Sequence, residues 1–305
     1  EGQGAERLIE GAVETPMSTP STRAEIILGA LPYIQAFRGK TVVVKYGGNA
    51  MVDADLTTAV IQDVILMGLV GMQPVVVHGG GPQIDEAMKT SGLKPAFVQG
   101  LRVTDAETMR IVERVLVGEI NQGIVALIGR MGGASIGLSG KDGGLIRARK
   151  APPKRGADGQ ALDLGLVGEV AGIDPRPIRT LQTAGYIPVV APTAGDESGA
   201  TYNINADVVA GEMAAALAAE KLVLLTDTDG ILDRQGALLS TLSAHDAERL
   251  KADGTISRGM LPKVGACLTA LRAGVRKTHI INGTRQHALI EELLTAEGVG
   301  TEIVA

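Results

Sequence analysis

The sequence predicts an α/β fold: a three-layer αβα sandwich around a mostly parallel open sheet, in two lobes. Short β-branched runs alternate with longer helical patterns along most of the chain, the order that parallel strands and their covering helices require. Two of the runs, Thr41–Tyr46 and Pro74–His78, end in glycine turns, Gly47-Gly48 and Gly79-Gly80-Gly81, that lead into helical patterns. The composition agrees. Of 305 residues, 45% are hydrophobic, enough for a large core or two lobes sharing a cleft. Aromatics are only 2% and Trp is absent, so Val, Ile, Leu, Ala and Met must fill that core.

Taken in order, residues 1–22 are polar, carry Pro16 and Pro20 and lack a hydrophobic segment, so they read as a disordered leader. Arg23–Phe37 has the spacing of an amphipathic helix, with Ile27, Ala30/Leu31 and Ile34 on one stripe, and Pro32 should kink or split it. The stripe must be buried against the chain's own body or against another subunit, and spacing alone does not choose. Strands are expected at 41–46, 74–78, 134–138, 186–191, 221–226 and 278–282. Helices are expected at 54–70, 82–91, 105–117, 119–130, 175–184, 203–219, 243–252, 261–274 and 285–297, with Gly92 and Gly274 as left-handed C-caps. Residues 145–172 break the rhythm: Leu145–Arg149 and Leu166–Ala171 flank a Pro/Gly/Asp-rich loop and read as a β-hairpin excursion. Phe97–Val103, around Gly100, reads as another. Both would sit over the sheet edge, in the place of a lid.

Several classes of function fall away. The net charge of −5 and the lack of a basic tract argue against a nucleic-acid surface. No apolar run approaches the roughly 20 residues that cross a bilayer. A single cysteine, Cys267, cannot form an intrachain disulfide, and with four scattered histidines no structural zinc site can be assembled. Cys267 lies in a helical apolar pattern and reads as a small core residue. Gly140-Lys141 is followed by Asp142, and position 135 is Ser, so a Walker A loop fails twice. Neither glycine cluster supplies the dinucleotide fingerprint, Asp227-Thr228-Asp229-Gly230 lacks the later ligands of a calcium loop, and no Gly-x-Ser-x-Gly elbow exists.

What remains are two turns able to present backbone N–H groups to anionic oxygens, with cations beside them. Lys45 closes a strand of valines, where an ammonium is costly unless it faces a compensating charge; otherwise it is an edge-strand lysine in solvent. Lys263 follows Gly259-Met260-Leu261-Pro262 at a helix start, where a cation opposes the helix dipole; it makes sense there if an anion shares the place, and otherwise it is a solvated first-turn lysine. Asn203, Asn205 and Asp207 open the expected helix 203–219, and Asn203 and Asp207, four apart, would share a face. One of the three should cap it, Asn203 could meet a ligand carboxylate, and Asp207 could orient one or both lysines. Arg102, in Gly100-Leu101-Arg102-Val103-Thr104, would offer a bidentate carboxylate clamp or lie on the surface.

In order, Lys45-Tyr46-Gly47-Gly48, His78-Gly79-Gly80-Gly81-Pro82, Gly100-Leu101-Arg102-Val103-Thr104, Asn203-Ile204-Asn205-Ala206-Asp207, Leu225-Thr226-Asp227-Thr228-Asp229-Gly230 and Gly259-Met260-Leu261-Pro262-Lys263-Val264 resemble the amino-acid kinase family, and within it the N-acetylglutamate kinases. The resemblance covers about residues 23–305. It implies ATP-dependent phosphorylation of the side-chain carboxylate of N-acetyl-L-glutamate, in the cytoplasm, within arginine biosynthesis. By the resemblance, Lys45 and Lys263 would stabilise the transferring phosphoryl group and Asp207 would organise them. Gly48 and Gly80 would offer N–H donors to the phosphoryl oxygens; Gly80, Gly81, Arg102 and Asn203 would hold the acetylated amino acid. Asp227, Thr228, Asp229, Gly230, Ile231 and Leu232, with Thr255, Ile256 and Ser257, would line the ATP site. Mg²⁺ would be held mainly by phosphates and water, with no metal ligands from the protein.

The chain also resembles the arginine-inhibited, hexameric members, which carry an extra N-terminal helix with the pattern Leu31-Pro32-Tyr33-Ile34-Gln35. This implies a kinked oligomerisation helix over 23–38 and a trimer of dimers. It further implies an N-terminal lobe over 39–218 for the acetylated substrate and dimerisation, and a C-terminal lobe over 219–305 for ATP and arginine. Arginine would bind among Tyr33, Lys221, His279, Glu292 and Gly298. Gly300-Thr301-Glu302 departs from the pattern, since a hydrophobic residue is usual after the Thr. A PII-type partner protein stays open, as do two rivals: a kinase of the same family acting on carbamate, aspartate, glutamate or UMP, and a catalytically silent arginine sensor.

Overall fold

The structure is a computed structural model and describes residues 20–155 and 160–305. The expected leader therefore lies outside the described residues up to position 19, while positions 20–22 are already helical, in Pro20–Gly29. That helix stops at Ala30, and Leu31–Phe37 forms a second one with Pro32 in its first turn, where the missing N–H leaves no helical bond broken. The expected split is present. Ile26, Ile27 and Leu28 stay 66%, 69% and 63% exposed on this single chain, whereas Ala30, Tyr33, Ile34 and Phe37 pack on the body.

The six apolar runs form strands Thr41–Tyr46, Gln73–His78, Ser135–Ser139, Ile187–Ala191, Lys221–Thr226 and Lys277–Asn282, each within one residue of its expected bounds. Two further short strands, Thr241–Ser243 and Thr301–Val304, extend one edge and were not apparent from the pattern. The eight-stranded order is 241–243, 301–304, 277–282, 221–226, 41–46, 73–78, 187–191, 135–139. Only the pairing of 277–282 with 301–304 is antiparallel. Side chains alternate between two buried faces: Val43, Val75, Val77, Leu222 and Leu224 enter one core, Val42, Val44, Val76, Val223 and Leu225 the other. That double burial is why these strands read as continuous valine and leucine runs.

From Thr41–Tyr46 the chain moves to Gln73–His78 on one side, and much later returns to Lys221–Thr226 on the other. The crevice at the carboxyl ends of these strands is thus a topological switch point, where open α/β sheets bind ligands. The lobe boundary expected at 218/219 falls between helix Ala206–Leu217 and strand Lys221–Thr226, and the sheet runs unbroken across it. Leu217 is followed by Ala218 in a left-handed C-cap.

Three expectations are corrected. Positions 105–130 are not two helices parted at Gly118: Ala106–Glu113 runs into a π-helical turn, Arg114–Asn121, and on into Gln122–Arg130. Helix 203–219 begins only at Ala206, because Asn203 is held as the last residue of a short strand, Thr201–Asn203, paired with Thr193–Gly195. Helix 285–297 shortens to Ala288–Leu294, with His287 left-handed before it. The excursion at 145–172 is a hairpin, Ile146–Lys150 with Gly168–Ile173, but it joins the 193–195 and 201–203 strands in a second four-stranded sheet rather than lying free. Phe97–Val98 and Leu101–Arg102 do form a small separate hairpin.

Candidate active site

Helices Ala206–Leu217 and Met260–Arg272 cross closely enough that a Cβ on Gly211 would lie 2.7 Å from the Ala266 carbonyl oxygen. This crossing, one turn along from both residues, brings Asp207 and Lys263 together: Lys263 Nζ is 2.9 and 3.1 Å from the two Asp207 carboxylate oxygens. Lys45, arriving from the end of its strand, places Nζ 3.2 Å from Asp207 Oδ1. Lys45 and Asp207 are 7% and 5% exposed. Two ammonium groups on one buried carboxylate leave an uncompensated positive charge. Burial, reinforced by Lys263 and opposed by Asp207, lowers the Lys45 pKa from its ordinary value. Burial would raise Asp207, but the two lysines outweigh it and the carboxylate is held below its usual range.

The glycine turns leave room for this arrangement. A Cβ on Gly47 would stand 3.0 Å from Lys45 Nζ, and Gly48 has φ +75°, a region L side chains rarely adopt. At Gly80 the limit is packing, since a Cβ would overlap Ile120 and Leu116. Asn205 is the helix cap, accepting from the Asp207 and Val208 N–H groups, which frees Asn203. Asn203 reaches Thr104 Oγ1 at 3.4 Å.

Two clefts meet at this charge. One, of about 280 Å³, is walled by Gly80, Gly81, Arg102, Asn203 and Asp207 and by Phe97 and Leu101 of the small hairpin. The other, of about 430 Å³, is lined by Thr226, Asp227, Thr228, Gly259, Met260 and Lys263. Lys45 and Gly48 belong to both. Arg102 is buried, its Nη1 2.6 Å from Asp85 Oδ1 and its guanidinium 4.7 Å from the centre of the Phe97 ring. Asp85 was not apparent from the sequence; nothing in its spacing marks it. The rest of the expected nucleotide set does not line the second cleft. Asp229 accepts from Asn282 Nδ2 at 2.8 Å. The Ile231 N–H donates to Thr301 Oγ1, and a Cβ on Gly230 would crowd that hydroxyl. Ile231 and Ile256 are core residues, Leu232 bridges Leu238, Thr255 accepts from Arg234, and Ser257 is exposed. Cys267 is buried as expected, and its thiol is pushed up to about 12 by burial.

Tyr33, Lys221, His279, Glu292 and Gly298 come together near the amino ends of strands Lys221–Thr226 and Lys277–Asn282, at the far end of the sheet from the crevice, in a cavity of about 1040 Å³. Glu292 accepts from His279 Nδ1 at 2.5 Å and from the Val299 N–H at 2.7 Å. Burial would raise its pKa, but these partners hold it down, while burial lowers that of His279 and keeps it neutral. Lys221 Nζ sits 5.1 Å from the Phe37 ring centre. Glu302, the departure noted after Thr301, adds a carboxylate to this wall and pairs with Lys277 at 2.8 Å.

An open parallel sheet with a cationic cluster between two clefts at its switch point defines a phosphate-handling transferase of the α/β class. Residues 40–282 match the amino acid kinase family, and the chain belongs to that family. Acetylglutamate kinase of Ralstonia nicotianae is 54% identical over 285 residues, 93% of this chain and 92% of that protein. Acetylglutamate kinase of Syntrophus aciditrophicus is 52% identical over 289 residues. Among solved structures, N-acetylglutamate synthase of Neisseria gonorrhoeae, complexed with coenzyme A and N-acetyl-glutamate, superposes with TM-score 0.81 at 28% identity over 92% of this chain, which spans 63% of the synthase. A carbamate kinase of Giardia lamblia shares the fold, with TM-score 0.62 at 17% identity. Among the described residues, no helix is long and apolar enough to cross a membrane.

Proposed function

We propose that this chain transfers the γ-phosphoryl group of ATP to the side-chain carboxylate of N-acetyl-L-glutamate, a step of arginine biosynthesis in the cytoplasm. An acceptor carboxylate oxygen forms the new bond to phosphorus as the bond to the leaving ADP oxygen breaks. The observation that carries this is the surplus positive charge at Lys45, Asp207 and Lys263, set where the two clefts meet. The acceptor is already an anion, so no general base is required; catalysis is alignment and neutralisation of charge spread over the phosphoryl oxygens.

The smaller cleft suits the acetylated amino acid, with Arg102 and Asn203 for its α-carboxylate and Gly80 and Gly81 N–H groups toward the reacting end. The larger one suits the nucleotide phosphates, beside Gly48, Asp227 and Thr228. Asp207 has both oxygens on ammonium groups and is poorly placed to bind a metal, so this donor set fits a Mg²⁺ that is carried by the phosphates and water and neutralises their charge.

The cavity at the far end of the sheet is proposed as an arginine effector site, its carboxylates Glu292 and Glu302 suited to a guanidinium and its lysines to a carboxylate. A second N-acetylglutamate synthase structure from Neisseria gonorrhoeae, similar at TM-score 0.78 and 26% identity, is complexed with L-arginine. The exposed apolar side chains of Pro20–Gly29 support interlacing of dimers into a hexamer; deleting residues 1–37 should leave dimers in light scattering and blunt arginine inhibition. A PII-type protein is a further candidate partner. ADP release, measured with a panel of N-acetylglutamate, glutamate, aspartate, carbamate and UMP and then titrated with arginine, tests the reading. Turnover confined to N-acetylglutamate supports it; turnover with another acceptor, or none, replaces it with a rival kinase or a silent sensor.

A further inference from the structure

His78 ends the strand beside the second glycine turn and is fully buried, yet touches neither cleft. Its Nδ1 lies 2.9 Å from the Gly79 carbonyl oxygen and its Nε2 3.1 Å from Asn121 Nδ2. Asn121 Nδ2 also donates to the Val189 carbonyl at 2.9 Å. That second bond fixes which end of the amide faces inward, because Oδ1 turned toward a carbonyl would be repelled. With Nδ2 donating to it, Nε2 must be an acceptor, so the ring proton is on Nδ1 and is donated to the Gly79 carbonyl. Burial drives the His78 pKa down to about 4, so this neutral form persists at physiological pH.

The other side of Gly79 is tied as well, its N–H donating to the Tyr46 carbonyl at 2.7 Å. All peptide bonds described are trans, so the Gly79 carbonyl and the Gly80 N–H point in opposite directions. Anchoring the carbonyl toward the buried histidine turns the Gly80 N–H away from it, toward the cleft Gly80 lines. Asn121 Oδ1 is buried without a partner, which an apolar side chain there would avoid, and a Cβ on Gly137 would overlap it. The π-helical turn Arg114–Asn121 delivers the amide to this spot.

We propose that Asn121 and His78 are positioning residues, a buried relay that sets the Gly79–Gly80 peptide plane and so aims the Gly80 N–H at the transferring phosphoryl group. The proposal rests on the phosphoryl-transfer reading above. His78→Asn and His78→Gln separate aiming from packing, since the Asn amide nitrogen overlies Nδ1 and can still donate to Gly79, whereas that of Gln overlies Nε2 and cannot. In an ADP-release assay with N-acetylglutamate and ATP, His78→Gln should lose about 100-fold in kcat and His78→Asn no more than about 10-fold, with KM for ATP little changed. Asn121→Leu keeps the site filled and should lose about 10-fold in kcat, measured below its Tm, with KM for ATP little changed. Equal losses in the two His78 variants, or wild-type kcat in Asn121→Leu, overturn the relay. Should neither His78 variant fold, Asn121→Leu decides alone. A wild-type enzyme without turnover removes the phosphoryl-transfer reading and the relay with it; an active wild type with indifferent variants removes only the relay.

Discussion

The crevice around Asp207 and the cavity around Glu292 each hold a buried carboxylate beside a lysine, and they use it in opposite ways. Asp207 is saturated by two ammonium groups, so its site is positive and invites an anion. Glu292 accepts from a neutral histidine and a backbone N–H, so its charge is oriented and left to meet a cation, while Lys221 on the same wall can meet an anion. The number of cations bonded to the carboxylate, not its burial, sets the sign that each carboxylate's surroundings present to a ligand. Burial only magnifies that sign, because water is excluded from the screening.

Removing a cation from the first site should have the largest effect. Lys45→Ala should lower kcat by about 100- to 1000-fold in steady-state assays, the scale of losing one donor to developing charge. A loss within a few-fold would mean that the surplus charge is incidental. At the second site, Glu292→Gln keeps the shape and removes the charge. It should raise the arginine concentration for half-inhibition by about 10- to 100-fold, the worth of one hydrogen bond to a charged group, and leave uninhibited kcat alone. An unchanged inhibition curve would move the effector elsewhere. Arg102→Lys keeps a cation but loses the planar fork, and the KM for N-acetylglutamate should rise about 10-fold with little change in that for ATP.

The smallest effect is one of pH. The proposed mechanism uses Lys45 as a cation, and burial places its pKa below the ordinary 10.5. The charged form is lost as pH rises, so kcat should decline on the alkaline side at a pH below 10.5. A profile flat to that point would show that Lys45 is not desolvated during turnover. No matching limb is expected from His279, which is already neutral.

Much of this contrast was legible in the sequence. A lysine ending a valine run, a lysine in a helix's first turn and an aspartate beside a cap each break a local rule, and rule-breaking residues point to sites. The strands were legible because burial on both faces gives unbroken apolar runs. Asn203 was assigned to the wrong element, since an Asn-rich helix start and a strand end share the same residues until the strand's partner, Thr193–Gly195, is known. Gly118 looked like a helix end but lies within the π-helical turn. Asp85 and Asn121 were invisible: Asn121 meets His78 across 43 positions, and no local pattern encodes such a contact.

In the proposed mechanism the charge held by Asp207 acts on the transition state rather than on ground-state binding. Lys263→Ala tests it most directly, with kcat from ADP release and ATP affinity from equilibrium binding on the same preparation. A kcat loss of about 100-fold or more is expected, with ATP affinity changed only a few-fold. A variant that binds ATP far more weakly yet turns over at nearly the wild-type rate when saturated would contradict it.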